Sequence, residues 1–447
     1  MEGEWNVCAL DQIKANQDSA IAIGPFGSRM RSDRYVASGV PVIRGNNISD
    51  TRALVGDFVF VSKETADELR SSNVFPGDLV FPHRGAIGQV GIVPEGMQPR
   101  YVLSTSLMKL SCNRDLVDPL FVFYFFRSGQ GRHSLLQHAS TVGTPGIGQP
   151  LASLRSITLP VPPLQEQGAI AHILGTLDAK IELNREMTET LEAIARTLFK
   201  SWFVDFDPVR AKAEGRDPGL PKEIADLLPD RFEDSELGEI PAGWEVKSLD
   251  AIADYQNGLA LQKYRPAEGN RRLPVVKIAQ LRSGEPNSGE WATATIKPEC
   301  IIDDGDIVFS WSGSLLLKIW CGGRAALNQH LFKVTSHWFP KWFYLHCTLS
   351  HLPEFRRIAA GKATTMGHIK RHHLQDARCV VPEKRVLAGV DDIFTGLLER
   401  TVSSNVESRT LAAMRVTLLP KLISGELRVK DPERSVAAAT LTPEAVA

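Results

Sequence analysis

Side chains that could do covalent chemistry are sparse in this sequence. No GxxxxGK[ST] phosphate loop is present, and PFGS and DFDP are neither a glycine-rich cofactor turn nor an Asn/Asp-Pro-Pro-aromatic loop. LPDRFEDSE offers carboxylates, but in a proline-rich stretch without an accompanying lysine. His368, His372 and His373 match no common metal-ligand spacing, and the six cysteines (Cys8, Cys112, Cys300, Cys321, Cys347, Cys379) form no CxxC pair. No active site and no metal site is expected. The chain instead offers hydrogen-bond donors on glycine-rich loops, as in GPFGSRMRSDR at 24–34, Arg44-Gly45-Asn46-Asn47 and Asn328-Gln329-His330.

The elements that must carry these loops are written twice. EWNVCALDQI at 4–13 and GWEVKSLDAI at 243–252 share Trp5/Trp244, Val7/Val246, Leu10/Leu249, Asp11/Asp250 and Ile13/Ile252. Pro41-Val42-Ile43-Arg44 then matches Pro274-Val275-Val276-Lys277, and Pro76-Gly77-Asp78-Leu79-Val80-Phe81 matches Asp304-Gly305-Asp306-Ile307-Val308-Phe309. Gly85 pairs with Gly313, Leu154 with Leu374, and Val161-Pro162 with Val381-Pro382. Matches in one order with a shrinking offset indicate duplication with deletions.

Each repeat ends in a helical pattern with apolar residues alternately four and three apart. The first seam is Ile170, Leu174, Leu177, Ile181, Asn184, Thr188, Leu191, Ala195, Leu198 and Trp202. The second is Val390, Phe394, Leu397, Thr401, Ser404, Ser408, Leu411, Arg415, Leu418 and Leu422. Both turn polar in the middle, which costs stability but fixes register. One such helix would be an ordinary amphipathic helix; two matched ones predict an antiparallel pair. Five prolines (Pro208, Pro218, Pro221, Pro229, Pro241) forbid a continuous helix between the repeats and predict a surface connector with a short helix near 223–228.

The chain has 447 residues, 43% of them apolar and 23% charged, with a net charge of −1. That size predicts two or three domains. The charge argues against a protein that coats nucleic acid unaided, though not against local basic patches. The most apolar run, 120–126, ends at Arg127 and is too short to span a bilayer. With reduced cysteines and no visible secretory signal, the expectation is a cytoplasmic protein without membrane association.

This order of globular unit, long helix, connector, globular unit and long helix resembles the specificity subunit of Type I restriction–modification systems. The motifs that carry the resemblance are LPVPPLQEQGAIAHILGTLDAKIELNRE (159–186), TLFKSWFVDFDPV (197–209), LGEIPAGWE (237–245), LNQHLFKV (327–334) and KLISGEL (421–427). One departure is VVPEKRVLAGV, which stands where the family writes a PPLxEQ-like entry into the second helix. The resemblance implies an α+β fold of two mixed α/β target-recognition domains, each followed by a long helix, with the helices packed as an antiparallel coiled coil in pseudo-two-fold symmetry. The implied boundaries are 1–160 for the first recognition domain, 161–204 for its helix, 205–240 for the connector, 241–382 for the second domain, 383–428 for its helix and 429–447 for a disordered tail.

The resemblance further implies a non-catalytic subunit that reads a bipartite, asymmetric site in double-stranded DNA. Two methyltransferase subunits would carry S-adenosylmethionine, and restriction–translocase subunits would use ATP and Mg2+. This chain itself would bind no cofactor. A duplicated scaffold that binds only proteins is the alternative.

Under that reading the donor loops face DNA, because Arg, Lys, Asn and Gln match purine edges and phosphates. The candidates in the first domain are Ser28, Arg29, Arg31, Arg44, Asn46, Asn47, Arg84 and Thr144. Those in the second are Lys277, Gln280, Trp311, Ser312, Asn328, Gln329, His330, Thr364, Thr365 and Lys370. Any one of these, taken alone, is equally explained as a solvated loop residue.

Overall fold

The computed structural model describes residues 5–49, 51–140, 145–286, 289–361 and 367–429. The chain forms two compact units, Met1–Glu182 with Thr410–Ala447, and Leu183–Arg409. Each therefore takes part of both long helices, Leu164–Phe203 and Lys384–Ser424.

In the first unit, Asn6–Ala9 pairs antiparallel with Thr158–Val161. Behind this ribbon lies a four-stranded sheet in the order Ile21–Ile23, Leu107–Leu110, Leu79–Pro82, Gly91–Ile92. A five-stranded sheet follows the order Tyr35–Val36, Val59–Val61, Val40–Ile43, Tyr101–Leu103, Asn73–Val74. Its Val40–Ile43 and Tyr101–Leu103 strands are parallel, with Val42 opposite Val102.

The second unit repeats the plan. Glu245–Ser248 pairs with Arg378–Val381. One four-stranded sheet runs Asp254–Asn257, Leu331–Thr335, Ile307–Ser310, Leu316–Ile319, and the other Trp291–Thr293, Arg272–Val276, Ala325–Leu327, Ile301–Ile302. Its parallel pair, Val275 opposite Ala326, occupies the place of Val42 and Val102. The duplication legible in the sequence is thus a duplication of topology.

The strands Leu79–Pro82 and Ile307–Ser310 are buried along their whole length. Side chains alternate across a strand, so Leu79 and Phe81 join one apolar cluster and Val80 another. Ile307, Phe309 and Val308 divide in the same way. The turns that enter these strands are also alike. Gly77 and Gly305 each hold φ at 88°, in the left-handed region that glycine enters without steric cost. Asp78 accepts the Phe75 amide at 2.9 Å and Asp306 the Asp303 amide at 2.8 Å.

Within the first unit the helix segments run antiparallel: Glu166 holds Arg428 at 2.7 Å and Asp178 holds Arg415 at 2.6 Å. The second unit has its own antiparallel pair, with Asn184 donating to Glu407 at 2.8 Å and Trp202 lying 5.7 Å from Phe394. Ile170, Leu174, Asn184, Val390, Phe394 and Ser404 are buried seam residues, whereas Leu177, Ile181, Leu191, Leu198, Leu397, Leu411 and Leu418 are half-buried. The polar centre lies inside the second unit. There the buried Asn184 Oδ1 and Thr188 Oγ1 have no hydrogen-bond partner among the described residues.

The PPLQEQ entry has a clear role. The Gln167 amide donates to Pro162 O at 2.8 Å and Leu116 O at 3.1 Å, and its oxygen accepts the Asp118 amide at 2.9 Å. Glu166 also accepts the Trp5 indole N–H at 3.3 Å. At the start of the second helix these two positions fall to Val386 and Leu387, both buried in the apolar core. The departure in sequence thus replaces a polar joint by a greasy one. Trp244, the counterpart of Trp5, is buried against Phe203 and Phe206. Val7, although repeated as Val246, is 68% exposed, in a two-stranded ribbon.

The connector contains the helices Asp207–Ala213 and Lys222–Ala225 and the hairpin Phe232–Ser235/Gly238–Pro241. Pro208 is tolerated because it stands in the first turn of its helix. The tail expected at 429–447 lies, beyond Val429, outside the described residues.

Candidate nucleic-acid interface

In the first unit the parallel pair ends at Ile43 and Leu103, and so delivers Arg44 and Ser104 side by side. Arg44 opens a tight turn, Gly45–Asn47. The Arg44 amide donates to Asn47 Oδ1 at 2.9 Å, and Asn47 Nδ2 donates to Val55 O at 2.8 Å. Asn47 is fully buried. Its amide builds the loop, so it has no edge to offer a base, and the exposed neighbour Asn46 is the one presented. The Arg44 guanidinium donates to Asp57 O at 2.8 Å, which holds it half-buried.

The adjacent sheet brings His83 and Arg84 to the same edge. The His83 amide donates to Ser106 O at 2.9 Å, and its Nε2 lies 3.1 Å from Thr105 O. Burial lowers the His83 pKa, so the ring is neutral at neutral pH. Arg84 is exposed and bridges to Gly146. Gly24 seals the edge from the other side, since a Cβ there would stand 1.8 Å from Ser104 O. Arg29 and Arg31 are exposed beyond it, whereas Arg34 is paired with Glu68 at 2.8 Å. The Ser28 side chain and all of Thr144 lie outside the described residues.

The second unit assembles the same edge from other residues. Val276 pairs with Leu327, which sets Lys277 beside Asn328. Gln280 caps the Lys277 amide at 3.3 Å, as Asn47 caps Arg44. Lys277 is also ion-paired with Glu290. Ser312 Oγ and His330 Nδ1 are 3.1 Å apart, and His330 Nε2 lies 3.4 Å from the Gln329 amide. Asn328 is buried, its Oδ1 accepting the His330 amide at 3.3 Å. The ring of Trp311 packs on His330 and Phe332, with centroids 5.9 and 5.8 Å apart. Its indole N–H is buried without a partner among the described residues. Ser312 bridges to His368, and the Gly313 amide donates to Gly367 O at 2.7 Å. Lys370 is exposed at the start of a short helix, its backbone amide donating to His373 Nδ1 at 2.9 Å. Thr364 and Thr365 lie outside the described residues.

Ser104, Thr105 and Ser106 were missed by residue type, yet the register makes them the counterparts of Asn328, Gln329 and His330. Leu107 pairs with Pro82 as Leu331 pairs with Ser310. The signal was present in the sequence: LSTSLMKL at 103–110 and LNQHLFKV at 327–334 share every apolar position and the lysine. Gly258 likewise repeats Gly24, for a Cβ there would lie 2.2 Å from Leu327 O. Each unit thus gathers four loops at one edge, built on hydrogen bonds among the loops themselves and carrying polar side chains of different identity. Such an edge can present two distinct sets of donors and acceptors to a polar ligand.

Residues 27–193 match the family described as the Type I restriction modification DNA specificity domain. The specificity subunit of the Type I restriction enzyme HindI from Haemophilus influenzae is 26% identical over 73% of this chain and 81% of its own. That of MjaIX from Methanocaldococcus jannaschii is 26% identical over 94% of both chains. The solved S subunit of a Type I restriction–modification system from M. genitalium shares the fold, with a TM-score of 0.58 over 95% of this chain and 97% of that one at 14% identity. In sequence and in fold alike, the chain is similar to the specificity subunits of Type I restriction–modification systems.

Proposed function

We propose that the protein is the DNA sequence-specificity subunit of a Type I restriction–modification complex. The observation that carries this reading is the edge built twice: the same strand ends and loop–loop hydrogen bonds recur, while the side chains presented there differ, Arg44, Asn46 and Arg84 against Lys277, Gln329 and His330. Two diverged readers on one chain predict a split and asymmetric DNA site, unlike the palindrome of a homodimer.

In this reading the chain contributes recognition and no chemistry. Adenine methylation belongs to two methyltransferase partners that carry S-adenosylmethionine, and cleavage to restriction–translocase partners that use ATP and Mg2+. The site of action is the cytoplasm; no helix among the described residues is long and apolar enough to cross a membrane.

The test is single-molecule sequencing of host DNA with the gene present and deleted. Loss of adenine methylation at one bipartite, asymmetric sequence is the expected result. Unchanged methylation, with the methyltransferase partner expressed, would instead favour a scaffold that binds only proteins.

A further inference from the structure

An open cavity of about 630 Å3 lies beside the Trp311–Ser314 loop of the second unit, and Arg282, Lys318 and Arg356 line it together with Gly313, Ser314 and Gly367. No carboxylate is among the lining residues. The three cations come from separate elements: the helix Ile278–Ser283, the edge strand Leu316–Ile319 and the helix Lys341–Ala360. Two are held by the backbone around them. Lys318 Nζ donates to Arg282 O at 2.7 Å, and Arg356 Nε to Leu315 O at 3.1 Å. One donor of each is thereby fixed, and an ammonium or guanidinium has several more. Glu192 acts electrostatically on Lys318, but its burial raises its own pKa and it shares that influence with Arg196. One carboxylate set against three cations leaves the cluster with net positive charge.

Among the described residues of the first unit, Lys318 has no counterpart. Lys318 pairs with Val308 where Gly91 pairs with Val80. A Cβ on Gly91 would already stand 2.9 Å from Val80. Over Gly88, Leu136 and Arg132 fill the neighbouring space, 3.2 and 3.5 Å from where a Cβ would be.

We propose that the Arg282–Lys318–Arg356 cleft is a clamp for DNA backbone phosphates, built into the second reader, whose Lys318 stands where the first has Gly91. The inference rests on the DNA-reading function above and goes beyond it by assigning residues that grip without reading. Continuity supports it: Gly313 and Gly367, hydrogen-bonded to each other at 2.7 Å, belong both to the cleft and to the loop edge. A strand of DNA held across that edge would pass its phosphates over the three cations. Phosphate contacts carry no sequence information, so the clamp raises affinity for all sequences alike.

The experiment measures binding of the full chain, with its methyltransferase partner, to two duplexes across a salt series. One duplex carries the methylated site and the other is a scrambled version of it. The variants are Arg282→Ala/Arg356→Ala, Lys318→Ala and the charge-preserving Arg282→Lys/Arg356→Lys. Each lost phosphate contact lowers the slope of log affinity against log salt by about 0.9, so the loss of affinity between roughly 50 and 200 mM salt should shrink about threefold per contact. The Ala variants should show this on both duplexes equally, and the Lys pair should keep the wild-type slope. A slope unchanged in the Ala variants overturns the clamp, as does weakening confined to the methylated-site duplex. Stabilisation of the wild type by inorganic phosphate, lost in the Ala variants while their DNA slope stays intact, would make the cleft a free-anion site and also overturn it. A wild type that binds the two duplexes equally sinks the specificity reading itself, a separate outcome.

Discussion

Arg415 Nη1 lies 2.6 Å from Asp178 Oδ1, and the other oxygen of the same carboxylate accepts the Tyr124 hydroxyl at 2.8 Å. The second long helix, the first long helix and the globular part of the first unit therefore meet at one carboxylate. The Asp178 side chain is only 3% exposed, so these two partners replace the water it has lost. Burial, and then the carboxylate beside it, push the Tyr124 pKa well above the usual phenol value, so the hydroxyl stays a donor.

Removal of one partner should therefore be costly. Arg415→Ala leaves an uncompensated buried carboxylate, and the expected loss is about 3–5 kcal/mol. Asp178→Leu/Arg415→Leu should cost clearly less than the two single variants summed, because no orphaned charge remains. Urea unfolding followed by fluorescence decides it, and strictly additive losses would mean that the two residues are not coupled.

A pH dependence follows from His346. Its ring stacks on Phe199 with centroids 5.1 Å apart, and burial, assisted by Arg196, lowers its pKa from 6.5 to about 4. Above pH 6.5 the imidazole is neutral folded or unfolded, and its contribution is fully present. As pH falls, the unfolded chain takes the proton first, so stability is lost between pH 6.5 and about 4. That shift corresponds to about 3 kcal/mol at most. His346→Leu should flatten this part of the stability profile relative to wild type, and parallel profiles would contradict the assignment.

Asn46 and Asn47 should separate into a reader and a builder. Asn47→Ala strands the Arg44 amide and the Val55 carbonyl and should cost about 1–3 kcal/mol. Asn46→Ala should change stability by less than about 0.5 kcal/mol and relax the DNA preference in one half-site only. Thermal melts together with sequencing of methylated adenines distinguish the two. Equal melting temperatures would mean that the Asn47 bonds contribute nothing.

If the helices set the distance between half-sites, they act as a ruler of defined gradation. One heptad is about 10 Å of helix, or roughly three base pairs. Deleting a heptad from each long helix should shorten the spacer of the methylated site by about that amount and leave both half-sites unchanged. A spacer of unchanged length, read from the host methylome, refutes the ruler.

Much of this was legible because duplication lets a chain be read against itself. The matched strand ends that precede Arg44 and Lys277 were marked by PVIR and PVVK, and the matched entry turns by PGD and DGD, though not the parallel pairing. The heptads marked Asn184 and Ser404 as buried polar seam positions. Less visible were features that depend on contact between distant segments. Nothing local distinguishes Asn47, which is buried, from Asn46, which is exposed; the carbonyl of Val55 decides it. Ser104–Ser106 were hidden because small hydroxyl residues read as a loop, and only the register of the following strand reveals them. Arg282, Lys318 and Arg356 are scattered across 75 positions and are brought together by tertiary structure alone.

The guanidinium of Arg428 lies 5.2 Å from the ring of Trp5, and Gly425 packs on the same ring. In the second unit the matching place is filled by Phe206 against Trp244, and there the chain runs on through the connector from one to the other. The first unit thus joins by contact what the second joins by continuous chain. A gene opened in the proline-rich connector, and closed by a short linker between the segment after Arg428 and Trp5, would encode the same set of contacts in rotated order. Such circularly permuted versions should fold.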